Sequence, residues 1–268
     1  DEVALEAGLA GADFDRIVHL GAQAGVRYSL DHPRAYIRSN LMGHLNLLEL
    51  ARHRKAAHLV YASSSSVYGG NETLPFRVED RVDHPLSLYA ATKKADELMS
   101  ETYAHLYRIP QTGLRFFTVY GPWGRPDMAL FKFVRGILEG RPIDVYGHGE
   151  MGRDFTYIDD LVEALVRLIP LAPDEANRVA GDTLSEGVPS RVVNIANGTP
   201  VRLLDFVATV ETELGRKAEL NLMPIQPGEM RETFGDASLL RALTGYVPQT
   251  PLETGVAAFV DWYREHYR

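Results

Sequence analysis

His58-Leu59-Val60-Tyr61-Ala62, running straight into Ser63-Ser64-Ser65-Ser66-Val67-Tyr68-Gly69, is the stretch that decides the fold. The first five residues are mostly apolar and do not alternate. An alternating strand buries one face, whereas an unbroken apolar run suits a strand covered on both faces, as in a parallel sheet. The pattern recurs on either side. Upstream, Arg16 to Leu20 (RIVHL) reads as a short buried strand closed by the small-residue turn Gly21-Ala22-Gln23-Ala24-Gly25. Pro33 to His53 reads as a helix, because Leu41, Leu45 and Leu48 recur at helical spacing. Downstream, Leu88 to Leu106 is helical and Gln111 to Phe117 is a third strand. This rhythm predicts an α/β fold, a doubly wound parallel sheet with helices on both faces.

After Gly121 the character changes. GPWGRPD, from Gly121 to Asp127, is a Pro/Gly loop before a helix from about Met128 to Glu139. Ile143 to Tyr146 reads as a strand, and Asp159 as the cap of a helix to Leu168. Pro170 to Ser190 reads as an exposed excursion, followed by a strand Val192 to Ile195 and helices Leu203 to Leu214 and Leu252 to Tyr267. The expected division is therefore 1–122 and a smaller α/β region, 123–268, with segments returning to the first.

Composition narrows the function. The chain has 268 residues and a net charge of −8, with basic residues scattered rather than striped, which argues against nucleic acid as partner. It has no cysteine, so thiolate chemistry is excluded. No apolar run suits a membrane span, and DEVALEAGLAGADFD is not a signal peptide. A cytoplasmic enzyme with no metal site is the expectation.

Tyr89-Ala90-Ala91-Thr92-Lys93 carries the strongest local signal. Tyr and Lys at i and i+4 share a helix face. A nearby cation stabilises a phenolate, which would let Tyr89 exchange a proton at neutral pH. Such a pair is also common on exposed helices without function. The serines favour the chemical reading, since parallel sheets bind ligands beyond the carboxyl ends of their strands. Their bland alternative is a polar turn that only caps the strand.

Together SSSSVYG, YAATKK, LRFFTVYGPWGRPDMALFKF and RDFTYIDD resemble the UDP-glucuronate 4-epimerases, of the extended short-chain dehydrogenase/reductase family. The resemblance extends from Arg16 onward. It implies a Rossmann-like dinucleotide-binding region over 1–122, a UDP-sugar-binding region over 123–268, and NAD as cofactor. Ser64 would hold the sugar O4, Tyr89 would act as base, and Lys93 would bind the nicotinamide ribose. Leu20, Gly21, Ala22, Gln23, Asn40, Ala62, Ser63, Phe116 and Val119 match cofactor positions. Ser65, Ser66, Thr118 and Arg125 match positions around the sugar. Asp144, Val145, Tyr146 and Arg153 match the uridine and diphosphate contacts, with Gln226 and Glu229 completing them. The alternative for Arg153 is a surface ion pair with Asp154 or Glu150, and for Arg125 a role in organising its loop.

Two positions separate related reactions. Decarboxylases place Glu before the Val of VYG, and dehydratases place Asp-Glu there. Ser65 and Ser66 are too weakly acidic for that work, which favours hydride return and hence epimerisation through a 4-keto sugar. Arg125 is a natural partner for a sugar carboxylate, which favours UDP-glucuronate over UDP-glucose. A dinucleotide-binding sheet normally opens with a strand and a Gly-rich turn. None precedes Arg16, so the chain reads as beginning within the third helix of such a fold, about 60 residues in. A non-catalytic nucleotide-sugar-binding fragment is the alternative of another class. The resemblance also implies a homodimer, packed through helices 33–53 and 88–106.

Overall fold

The computed structural model describes residues 2–226 and 229–267. Its main sheet contains β1 (Arg16–His19), β2 (His58–Ala62), β3 (Gln111–Phe116) and, further along the chain, Ser190–Ile195, which pairs with β3. All three pairings are parallel. The continuous apolar runs have the predicted consequence in two strands, all of β2 except Ala62 and all of β3 except Phe116 being buried, whereas β1, expected to be buried, lies at the sheet edge with only Ile17 buried. A returning segment thus completes the first sheet, since Val193 and Ile195 share a core with Val60 and Leu114.

The chain leaves this sheet at Phe117. One residue later β4 (Thr118–Tyr120) pairs with a different strand, Gly152–Tyr157, in a sheet that the sequence pattern did not announce. Two consecutive strands of one chain therefore serve two sheets, and the turn between them lies beside the serine run. A third, two-stranded sheet joins Ile143–Tyr146 to Leu220–Met223 in parallel. The second region has its own core, in which Phe155 stacks on Phe206 at 4.2 Å and Phe131, Phe259 and Tyr263 close the far side.

The helices mostly follow their pattern. Leu88–Tyr107 starts where the Ser87 side chain accepts from Ala90 N at 3.1 Å, and ends at Arg108 in the left-handed region. The helix expected over 33–53 is not uniform. Pro33–Tyr36 and Gly43–Arg54 are α-helical, but Ile37–Met42 opens into a π turn. Such a turn forms only where something compensates for its poorer bonding. Here Asn40 lies within it and is fully hydrogen-bonded to other segments, as described below.

Two expectations need correction. Asp159 does not cap its helix: Ile158–Leu168 begins after Tyr157 with no side-chain cap, and Asp159 lies inside the first turn. The neighbouring Asp160 is the anchoring carboxylate, accepting from Tyr246 Oη at 2.6 Å and from Gln249 N and Thr250 N. The stretch 170–190 is not simply exposed. It is pinned by the buried pair Asp182–Arg191, 3.1 Å apart, and by buried Leu184.

Burial leaves three histidines neutral. It lowers His19 to about 4, with Lys93 adding to the effect, His44 to about 3, and His58 to about 4. His58 is wedged between Ile169 O and Thr112 Oγ1, both at 2.8 Å. Folded values below 6.5 mean that the unfolded chain binds these protons more readily. The stability they contribute is present above pH 6.5 and lost as pH falls towards 4. Asp96 and Asp154, both raised chiefly by burial, act in the opposite sense. Three groups against two leave a net loss on acidification. The melting temperature should therefore fall as pH drops from 6.5 to 4.5, as scanning calorimetry would read; a level or rising melting temperature over that range would contradict the assignment.

Candidate active site

The serine run is built rather than merely polar. Ser64 is extended (φ −159°, ψ 146°) and caps the short helical turn Ser65–Tyr68. Its Oγ accepts from Ser66 N at 3.2 Å and Ser66 Oγ at 2.9 Å. The Tyr89 phenol lies close enough for the Ser64 hydroxyl to act on it. Tyr89 comes from the first turn of its helix, which the Ser87 cap orients, so the two proposed proton-handling hydroxyls face one another.

Burial pushes the Tyr89 phenol above its ordinary value; the Ser64 hydroxyl and the Arg125 charge pull it back, and Asp96 raises it. Lys93, the cation expected to act on Tyr89, has partners of its own. Lys93 Nζ donates to Ala62 O at 2.8 Å and Asp96 Oδ2 at 3.2 Å. The carboxylate compensates the ammonium, and Arg125 is the cation left facing the phenol. The ring of buried Tyr36 meets Tyr89 edge-on at 6.0 Å and its hydroxyl bonds to Ala24 O at 3.0 Å, which fixes the turn beside both.

Leu20, Gly21, Ala22 and Gln23 lie on that turn at the end of β1. Asn40 does not present its side chain to a ligand. Its Oδ1 accepts from Gln23 N at 2.8 Å, while Nδ2 donates to Gln23 O at 3.1 Å and Thr92 Oγ1 at 2.9 Å. Thr92 Oγ1 in turn donates to Tyr89 O. Asn40 thus ties the turn to the Tyr89 helix, and the π turn carries it inward to do so.

Ser63 is likewise turned away. Its Oγ donates to Glu97 Oε1 at 2.7 Å, which leaves only backbone for a cofactor. Glu97 holds Arg115 through two bonds of 2.9 and 3.0 Å, and Arg115 reaches Tyr68 Oη at 3.1 Å. Tyr68 Oη donates to Asn194 Oδ1 at 2.7 Å. Burial works against the Glu97 carboxylate, but the Arg115 charge and bonds hold it below its ordinary range. The sequence reading missed Glu97 and Arg115. The available signal was an arginine inside an otherwise apolar strand, GLRFF, which has to find a buried counter-ion.

Arg125 is bound on both sides of its fork by Asp127, at 3.0 and 2.7 Å. Arg125 thus pairs within its own loop, and it also acts electrostatically on Tyr89 and Tyr36. Thr118 is half-buried at the start of β4, and Phe116 and Val119 flank it, packing against the core under the first sheet.

The remaining positions gather around Tyr146. Val145 is fully buried and can offer only backbone, while the exposed Asp144 accepts from Asn221 Nδ2 at 2.7 Å. Arg153 pairs with neither Asp154 nor Glu150. It donates to Gly152 O at 2.8 Å and Arg231 O at 3.2 Å, and Asp154 is occupied by the backbone N–H groups of Asn197 and Gly198. Burial lowers Arg153, with the Glu229 charge raising and the Arg27 charge lowering it. Arg27, unforeseen from sequence, lies over the Tyr146 ring at 4.1 Å and pairs with Glu229 at 2.6 Å. Gln226 reaches only Pro224 O, at 3.5 Å. Two arginines beside one carboxylate make an anion-favouring corner.

A dinucleotide's nicotinamide half fits the residues at the ends of β1 and β2. The turn 20–25 is pinned at Gln23 and Ala24, and Lys93 uses two of its three donors on Ala62 and Asp96. Among the described residues no cluster of three or more metal-binding side chains occurs.

An oxidoreductase-type sheet with a Ser–Tyr–Lys site defines the class. Residues 1–180 match the NAD dependent epimerase/dehydratase family, and the chain belongs to that family. It is 57% identical, over all of its length and 80% of the other's, to a probable UDP-glucuronate 4-epimerase of Rhizobium meliloti. It is 45% identical to UDP-glucuronate 4-epimerase 2 of Arabidopsis thaliana, covering 95% of this chain and 59% of that one. Its backbone is similar (TM-score 0.85, 33% identity) to the UDP-glucuronic acid 4-epimerase of Bacillus cereus solved with UDP-glucuronic acid and NAD, over all of this chain and 81% of that one.

Proposed function

We propose that this protein interconverts UDP-glucuronate and UDP-galacturonate by epimerisation at C4, with NAD. The observation that carries the reading is the placing of Tyr89 against Ser64, whose hydroxyl acts on the phenol together with the Arg125 charge. NAD, when bound, supplies reversible oxidation of C4. The chain's own groups do the rest. Ser64 orients the sugar O4 towards Tyr89, and Tyr89 takes the O4 proton and later returns it. Lys93 keeps one N–H for the nicotinamide ribose. Ser65 and Ser66 hold no acidic proton for loss of water or carbon dioxide, so the oxidised sugar is reduced again. Arg153 and Arg27 meet the diphosphate, with Tyr146 and the backbone at Val145 beside the uracil. Arg125 exchanges the Asp127 carboxylate for the sugar carboxylate.

The Asp127 fork favours one second reading, because an already neutralised Arg125 also suits a neutral hexose: a UDP-glucose/UDP-galactose 4-epimerase. Product analysis by NMR with both sugars decides. Tyr89→Phe should cut turnover about 10²- to 10⁴-fold on either sugar; unchanged turnover overturns the acid–base role. Arg125→Ala should lower kcat/KM for UDP-glucuronate about 10- to 100-fold while sparing UDP-glucose. Equal losses would return Arg125 to loop organisation, and a wild-type preference for UDP-glucose would establish the second reading.

We also propose a homodimer. Ile37 and Met42 on one helix and Leu98, Leu106 and Tyr107 on the other are exposed apolar residues on the two helices expected to pair. Light scattering at micromolar concentration should give twice the chain mass, and a monomer counts against the interface. Among the described residues no helix is long and apolar enough to cross a membrane. We place the enzyme in the cytoplasm, in keeping with a chain that carries no cysteine, and cell fractionation checks it.

A further inference from the structure

Asp96 lies one turn beyond Lys93 and two beyond Tyr89 on the same helix, and the proposed chemistry leaves it unassigned. It is almost wholly buried, and so is Lys93. Its Oδ2 holds the Lys93 ammonium at 3.2 Å, whereas Oδ1 is buried with no hydrogen-bond partner. A buried carboxylate with one oxygen unpaired is poorly stabilised, because desolvation penalises the charged form. Ordinary structural carboxylates in this protein are better served: Asp154 accepts three backbone N–H groups and Glu97 has both oxygens bonded.

The surroundings supply no further cation at Asp96 itself. From its own helix it faces Tyr89, Lys93 and Glu97; from β2, Tyr61; and from the helix Gly43–Arg54, His44, whose ring Nε2 is 2.8 Å from Ser100 Oγ. His19, from β1, stacks on His44 at 5.4 Å, and both histidines are held neutral. Arg115 is committed to Glu97. Among the described residues Lys93 is therefore the charge set against Asp96, and the carboxyl in turn compensates the Lys93 ammonium.

We propose that Asp96 is a positioning residue that sets the charge available to Tyr89: ionised, it compensates Lys93 and disfavours the phenolate; protonated, it leaves the Lys93 charge to stabilise it. The inference rests on the proposed roles of Tyr89 as proton acceptor and Lys93 as cofactor ligand. Burial pushes the Asp96 carboxyl up to about 7, with Lys93 pulling it back and Glu97 adding to the rise, so the group changes charge in the neutral range. As pH rises through that range, Asp96 ionises and opposes ionisation of Tyr89, and the proton affinity of the base follows the medium.

The test uses the full-length protein with NAD. Asp96→Asn keeps an acceptor for Lys93 and removes the charge. Tyrosinate absorbance, read as the difference from Tyr89→Phe in each background, isolates Tyr89 among the thirteen tyrosines. The Tyr89 midpoint should move to lower pH in Asp96→Asn, the acid limb of kcat/KM should move with it, and retention of NAD should stay within about twofold, since the hydrogen bond survives. An unmoved Tyr89 midpoint, or a uniform loss of activity with no change in the pH profile, overturns the proposal. Should Asp96→Asn fail to fold, the carbon-13 carboxyl resonance of Asp96 in the wild type takes its place. It should titrate near pH 7, and a resonance fixed in the ionised position from pH 5.5 to 8.5 overturns the proposal. Absence of UDP-sugar turnover in the wild type would remove the proposed function, while the tyrosinate and carboxyl titrations would still decide the role of Asp96.

Discussion

The buried Glu97–Arg115 pair joins the parts that the site needs. Glu97 belongs to the helix that carries Tyr89 and Lys93, Arg115 to β3, and the Ser63 hydroxyl on Glu97 fixes the start of the serine turn. Tyr68 and Asn194 extend the chain of bonds to the returning strand and to the carbonyls of Phe76 and Asp236. Desolvation of two charges offsets most of their attraction, so such a pair adds little net stability. Its effect is directional. A forked guanidinium and a carboxylate with both oxygens bonded allow one relative placement of helix, strand and turn, whereas apolar contacts at the same position would tolerate sliding. Removing either partner would strand a buried charge, at a cost of about 3–5 kcal/mol.

With these parts fixed, the electrostatics around Tyr89 become a matter of which cation is free. Three basic groups lie in the region. Arg115 is committed to Glu97, Lys93 to Asp96, and Arg125 to Asp127. Only the last pair is open to solvent, and its fork can be exchanged at small net cost because exposed ion pairs contribute little. The cation nearest the phenol is thus also the one whose counter-ion is easiest to replace. An incoming carboxylate at Arg125 would leave the charge balance as Asp127 does, whereas a neutral sugar would not compete for it.

The parallel sheet was legible because burial on both faces forces unbroken apolar runs, and β2 and β3 have them. The Tyr89–Lys93 helix was legible from its spacing. The second sheet was not, because its strands are short and take their partners from distant segments: Thr118–Tyr120 needs Gly152–Tyr157, which a local pattern cannot supply. The π turn at Asn40 was hidden for the same reason. Its leucine spacing is compatible with plain α-helix, and what opens it are bonds to Gln23 and Thr92, 17 and 52 residues away.

The site residues divide by how a sequence can identify them. Ser64, Tyr89 and Arg153 are of residue types that by themselves suggested the chemistry proposed for them. Asn40, Ser63 and Val145 stand at the right positions but turn inward, so sequence position alone could not separate a ligand from the residue that aims it. Lys93 lies between these cases. Its i+4 spacing to Tyr89 suggested a direct charge effect, but a carboxylate at i+3 lies on the same helix face and is as near in sequence. Once the helix is buried, the ammonium pairs with the carboxylate, since an uncompensated charge there would be costly. The helical spacing that advertises a Tyr–Lys pair therefore also brings Asp96 to Lys93, and the balance between the two is set by burial, which only the folded chain reveals.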